Sequence, residues 1–245
     1  MSVVTPQWLE LREPADAAAR SEELAERLAR HLPKGPLTIH DLGGGSGAMG
    51  RWLAPRLRAP QHWVVHDRDE GLLELAATSF ETRRSDITRL APGELAGASC
   101  VTASALLDML TADELARMLG ACAGLPTLIA MTVTGGVTLT PADPLDARLQ
   151  TAFNAHQRRD GRLGPDAVAA AVEQLGGEVL VRPSPWRLDA ANGELMTVWL
   201  GGWIAAACEH DPALEAEAYR GRRLAQAAAG ELAVTVDHAD LLALP

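Results

Sequence analysis

Apolar residues recur along this chain with two alternating periods. In residues 14–32 Leu24, Leu28 and Leu32 stand at i, i+4 and i+8 in an Ala-rich stretch, which predicts helix, and Ser21 is placed to begin a second helix within it. Pro33-Lys34-Gly35-Pro36 ends that segment. Residues 37–42 form a short apolar run that reads as a strand, followed by a glycine loop and a helix to about Leu57. Residues 63–65, 99–104 and 125–133 read as further strands, and residues 69–77 as a short helix. Thr111 and Glu114 form a capping box that opens a helix with Leu115, Met118, Leu119 and Cys122 on one face. Farther on, Asp143-Pro144 starts a helix to about Arg159, and Pro165 starts another with Val168, Val172 and Leu175 in register. Residues 178–181 read as a strand. Residues 195–208 read as a helix with Leu195, Trp199 and Trp203 on one stripe, and a last helix runs from Asp211-Pro212 to about Ala229. Leu232, Val234 and Val236 alternate with Ala233, Thr235 and Asp237, the period of a final strand. The β-α-β-α order predicts an α/β fold: a parallel, doubly wound sheet with helices on both faces, in a single domain over residues 1–245.

Composition narrows the class. The 245 residues are 47% hydrophobic, which excludes a disordered chain, and they carry a formal net charge of −10. An acidic chain without a basic stripe does not suit nucleic acid. The richest apolar stretch, residues 195–208, is interrupted by Gly201 and Gly202 and is too short for a membrane span. Residues 1–10 lack the basic-then-apolar pattern of a secretory signal. Cys100, Cys122 and Cys208 are far apart and odd in number, which argues against a disulfide framework or a metal site and fits a cytoplasmic protein.

The chemistry concentrates in residues 38–50, Thr-Ile-His-Asp-Leu-Gly-Gly-Gly-Ser-Gly-Ala-Met-Gly. A strand runs straight into Gly43, Gly45 and Gly47 and then into a helix, so the backbone can turn tightly and a ligand can approach it. Asp67 stands at the end of the next apolar strand, where a carboxylate accepts ribose hydroxyls. Two ligands use such an arrangement. Gly45-x-Gly47-x-x-Gly50 formally matches the dinucleotide fingerprint, so an NAD(P)-dependent oxidoreductase stays open. Asp41, just before the first glycine, is electrostatically wrong beside a pyrophosphate and right beside the ammonium and sulfonium of S-adenosylmethionine. A recognisable Tyr-x-x-x-Lys pair is also missing, since Tyr219 is the only tyrosine and Lys34 the only lysine.

Asp41-Leu-Gly-x-Gly-x-Gly resembles the first motif of the class I S-adenosylmethionine-dependent methyltransferases. The resemblance implies a Rossmann-like sheet of seven mostly parallel strands, its last strand antiparallel and inserted beside the sixth. It also implies an N-terminal helical cap (residues 1–35) and a helical insertion after strand 5 (residues 135–164). S-adenosylmethionine would be the cofactor and S-adenosylhomocysteine the product. The resemblance further implies that Asp86 accepts the adenine amino group while the Ile87 N–H meets a ring nitrogen. Ser104 would lie at the exit of the fourth strand, in the segment ending at Asp108, on the rim facing donor and acceptor. Asn/Asp-Pro-Pro-Tyr and a Pro-Cys nucleophile are absent, so the expected acceptor is a small molecule methylated on oxygen or nitrogen. A non-catalytic protein of the same fold is the other alternative.

On the acceptor side, Leu145, Leu149, Phe153 and His156 share one helical stripe. The first three should face inward, so His156 should too, as a candidate general base. Arg158, Arg159 and Arg162 follow and hint at an anionic acceptor. Arg12 and Arg20 flank Asp16 in the N-terminal helical region and read either as a cover for the cofactor or, the simpler reading, as surface pairs. His40 and His66 read as packing residues on strand ends. Trp186, Trp199 and Trp203 read as core or as a homodimer interface.

Overall fold

The computed structural model describes residues 5–91 and 93–245; residues 1–4, the start of the expected cap, lie outside them. Two helices come first, α1 (Pro6–Ala19) and α2 (Glu22–His31). The alternating part follows: β1 (Leu37–Leu42), α3 (Ala48–Leu53), β2 (Gln61–Asp67), α4 (Glu70–Ala76), β3 (Glu81–Arg84), β4 (Cys100–Ser104), α5 (Ala112–Ala121) and β5 (Thr127–Thr140). The last part is α6 (Asp146–Gln157), α7 (Ala167–Gln174), β6 (Glu178–Pro183), β7 (Trp186–Leu188), α8 (Gly193–His210), α9 (Glu217–Ala228) and β8 (Ala233–Leu244).

The strands form one sheet in the order β3-β2-β1-β4-β5-β8-β6, with β7 also paired to β8. β1 to β5 run parallel, and β8 is antiparallel to β5, β6 and β7, as expected of the last strand. The chain order reverses between β1 and β4, so the crevice at their carboxyl ends is where such a sheet binds ligands. One apolar layer joins α2, α3 and α8 to one face of the sheet, built on Leu24, Leu28, Leu53, Leu200 and Trp203. A second joins α5 and α7 to the other face, through Leu115, Met118 and Ala171.

Several expectations are corrected. The sheet has eight strands: the strand expected over residues 178–181 runs on to Pro183, and after a break at Ser184-Pro185 an unexpected short strand, β7, pairs with the same partner. The strand expected to end at Val133 continues to Thr140, so residues 135–140 are sheet and the helical insertion begins later. Gly135-Gly136 reads as a stop, but it marks an irregularity in the pairing with β8. A Cβ at Gly136 would fall 2.1 Å from Asp237 Oδ2, so any side chain there would displace that carboxylate. α1 begins at Pro6 rather than Pro14, with the Thr5 hydroxyl accepting the Trp8 N–H at 3.2 Å. α7 buries Ala167 and Ala171, not the Val168/Val172 stripe; Val172 is exposed. β3, Glu-Thr-Arg-Arg, is a polar edge strand with no apolar period to reveal it. Trp186 and Trp203 are core, with Trp199 half-buried and stacked on Trp203. Among the described residues no helix is long and apolar enough to cross a membrane.

Candidate functional site

The crevice is built where β1 ends. Gly43, Gly45 and Gly47 all have left-handed φ (62°, 52° and 84°), and Gly47 is the N-cap of α3. Gly44 lies directly on Asp41: a Cβ there would sit 2.3 Å from Asp41 Oδ2. Gly50 has a different task. A Cβ at Gly50 would meet the Phe80 ring at 2.8 Å, so the third glycine of the formal dinucleotide match serves helix packing.

Asp41 is fully buried. Its Oδ1 accepts the Thr102 hydroxyl at 2.7 Å, and its Oδ2 has no hydrogen-bond partner. Burial pushes its carboxyl up to about 7, against the Thr102 hydrogen bond and the nearby Arg20 charge. Asp67 is half-buried at the end of β2. Its Oδ2 accepts the Gly45 N–H at 2.9 Å and its Oδ1 the Asp69 N–H at 3.0 Å. Each oxygen keeps a lone pair for a hydroxyl donor. The Ser85 N–H bonds the Asp67 carbonyl at 2.9 Å, which brings the 85–87 loop beside Asp67. There the Asp86 carboxylate is exposed, accepts the Thr88 N–H and hydroxyl at 3.1 and 2.6 Å, and pairs with Arg89. The Thr88 bonds hold its carboxyl below the ordinary range. Ile87 is buried in the α5 layer.

α1 closes over this crevice. Its Leu9 side chain comes within 3.3 Å of the Cβ position at Gly45, and Glu13 forms an ion pair with Arg51 of α3 at 2.6 Å. Arg20, at the C-cap of α1, is 4% exposed. Its guanidinium donates to Ser104 Oγ at 3.1 Å and to the Ala48 carbonyl at 3.5 Å, and lies over the Trp52 ring. Ser104 thus lies in the crevice, bonded to Arg20. The surface reading of Arg12 and Arg20 fails: Asp16 is 4% exposed and bonds both Arg12 and the Trp186 indole N–H. The missed signal was Trp8-Arg12-Asp16-Arg20 at i+4 spacing, which forms one helical face once α1 begins at Pro6.

The acceptor-side residues separate. Arg158 pairs with Asp166 at 2.6 Å and Arg159 with Glu209 at 2.6 Å. Arg162 lies on a segment bridged to Thr111, with Leu163 N–H on the Leu110 carbonyl, so it returns to the β4 exit. There Asp108 is half-buried; burial pushes its carboxyl up, opposed by the Arg12 and Arg162 charges. Ala105, directly after β4, and Met131, at a pairing irregularity inside β5, both have positive φ (52° and 57°), a strained backbone for residues with side chains. His156 is buried on α6. Its Nε2 lies 3.1 Å from Glu209 of α8 and its Nδ1 has no partner. The structure brings it to α8, not into hydrogen-bond contact with the glycine loop. The packing reading of His40 and His66 stands: they are buried side by side, 2.8 Å apart. No group of three or more His, Cys, Asp or Glu among the described residues could hold a metal.

No family model matches the chain, and no curated protein matches it. Solved structures do. A candidate type II methyltransferase from Anaeromyxobacter dehalogenans aligns at TM-score 0.53 and 18% identity, over 92% of this chain and 97% of that one. A candidate methyltransferase from Bacillus halodurans aligns at 0.50 and 14%, over 91% and 97%. A cyclopropane synthase from Mycobacterium tuberculosis aligns at 0.48 and 14%, over 98% and 94%. The first two alignments give the chain the Rossmann-like methyltransferase fold.

Proposed function

We propose that this protein is an enzyme that binds S-adenosylmethionine and transfers its methyl group to an oxygen or nitrogen of a small, anionic molecule. The observation that carries the reading is the buried Asp41 carboxylate under the glycine loop, with one oxygen lacking any partner. An anion there repels a pyrophosphate and attracts a cation. Asp67 fits the same ligand, since its carboxylate is fixed by two backbone N–H groups and retains capacity for ribose hydroxyls. The 85–87 loop beside it is where adenine would lie.

When bound, the cofactor supplies a methyl group already activated as a sulfonium. The chain's task is to orient, exclude water and handle a proton. α1, seated over Gly45 through Leu9, would shield the crevice. Arg162, on the segment that returns to the β4 exit, suits an acceptor carboxylate or phosphate. We assign the proton to His156: Glu209 occupies Nε2, and the buried Nδ1, which has no partner within the protein, is the nitrogen that would accept it. His156→Ala should then lower turnover by roughly 10²–10⁴ while S-adenosylhomocysteine affinity stays unchanged. Equal turnover would return His156 to a packing role.

Ligand-dependent thermal unfolding tests the cofactor. S-adenosylhomocysteine at ~100 times its Kd should stabilise the protein by roughly 2.7 kcal/mol, and NAD should not. A shift with NAD and none with S-adenosylhomocysteine would mean an oxidoreductase instead.

A further inference from the structure

Arg20 is a buried guanidinium in an unusual state. Of its five N–H donors the structure engages two, one on Ser104 Oγ at 3.1 Å and one, weakly, on the Ala48 carbonyl at 3.5 Å. Its Nε is buried with no partner. Asp16, Asp41 and Asp240 all act on its charge, yet none forms an ion pair with it within 4 Å among the described residues. A buried charge is ordinarily paired, because desolvation of an unpaired ion is costly. Arg20 therefore has donor capacity that the protein itself does not fill.

Its position defines what would fill it. Ala48 follows Gly47 at the start of α3, and Ser104 ends β4, so the guanidinium spans from the glycine loop to the β4 exit. Asp41, with its own orphaned Oδ2, lies in the same cluster and acts on the Arg20 charge. An unfilled cationic donor and an unfilled anionic acceptor close together are the complement of a zwitterion. The part of the proposed cofactor with that chemistry is its α-amino-acid end. Resting on that cofactor reading, we infer that Arg20 is the anchor for the amino-acid carboxylate, and that α1 carries it into the crevice as part of the binding site. Trp52, under the guanidinium, keeps its plane fixed.

Calorimetric titration with two probes tests this. S-adenosylhomocysteine carries the amino-acid end, whereas 5′-methylthioadenosine keeps adenosine and thioether without it. Wild type should bind S-adenosylhomocysteine more tightly. Arg20→Met should weaken S-adenosylhomocysteine binding by roughly tenfold or more and leave methylthioadenosine binding unchanged. Arg20→Lys keeps the charge without the planar fork, and should show the same split to a smaller degree. It also provides the test if Arg20→Met does not fold. Unchanged S-adenosylhomocysteine affinity in these variants would overturn the assignment, as would equal losses for both probes, the mark of a structural role. If wild type binds neither probe, the cofactor reading fails, and this inference with it.

Discussion

Two buried aspartates near Arg20 differ in one respect. Asp240 of β8 is fully engaged: Oδ1 accepts the Met131 N–H at 2.8 Å and the Ser184 hydroxyl at 2.6 Å, and Oδ2 accepts the Ser21 N–H at 2.7 Å. It joins the irregularity of β5 at Met131, the break between β6 and β7, and the junction of α1 with α2. Asp41 of β1 has one hydroxyl on one oxygen and nothing on the other. Burial raises the pKa of both, but three donors oppose the rise at Asp240. The difference separates a carboxylate that holds the fold from one that the fold leaves unsatisfied. Satisfied buried polar groups rigidify, whereas an orphaned one calls for a partner the chain does not provide.

Removing the engaged carboxylate should have the larger effect. Asp240→Ala strands the Met131 and Ser21 N–H groups and the Ser184 hydroxyl, and should destabilise by about 3–5 kcal/mol. Thermal unfolding would then show a midpoint lowered by roughly 10 °C. A change of only a degree or two would mean that water replaces the carboxylate and that the comparison is wrong.

The orphaned carboxylate should behave the opposite way. Asp41 titrates near 3.8 when unfolded and near 7 when folded. Between those values the native state keeps a proton the unfolded chain has lost, so this group's contribution to stability falls as pH rises through that window. Asp41→Asn carries no charge and keeps an acceptor for Thr102. It should be more stable than wild type at pH 8, by up to a few kcal/mol (roughly 1.4 per pKa unit), and no more stable at pH 4. The same variant should bind S-adenosylhomocysteine less tightly. Chemical denaturation at the two pH values checks the sign, and equal stability differences at both would refute it.

Much of the donor half was legible in the sequence because local chemistry decides it. β1 runs from Leu37 to Leu42 as its apolar run indicates, the three glycines take left-handed φ, and Thr111 and Glu114 close their capping box. What stayed hidden depends on tertiary partners. β3 is a strand only because β2 offers it an edge, and β5 continues past Gly135-Gly136 only because β8 pairs with it there. Pro14 looked like a helix start, which hid the face that carries Arg12, Asp16 and Arg20 inward. Acceptor-side arginines with the same local sequence signal separate because their partners, Asp166 and Glu209, lie on other turns and helices.

The most direct measurement follows protons during cofactor binding. With its carboxyl pushed up to about 7 by burial, Asp41 is partly protonated at neutral pH. A cationic group bound beside it favours the charged form, so binding should expel the remaining proton. Titration with S-adenosylhomocysteine in buffers of different ionisation enthalpy should show release of a fraction of a proton per ligand at pH 7. The release should fall toward zero at pH 9 and be absent in Asp41→Asn. Tight binding without any proton release at pH 7, or a release that persists in Asp41→Asn, would contradict the account.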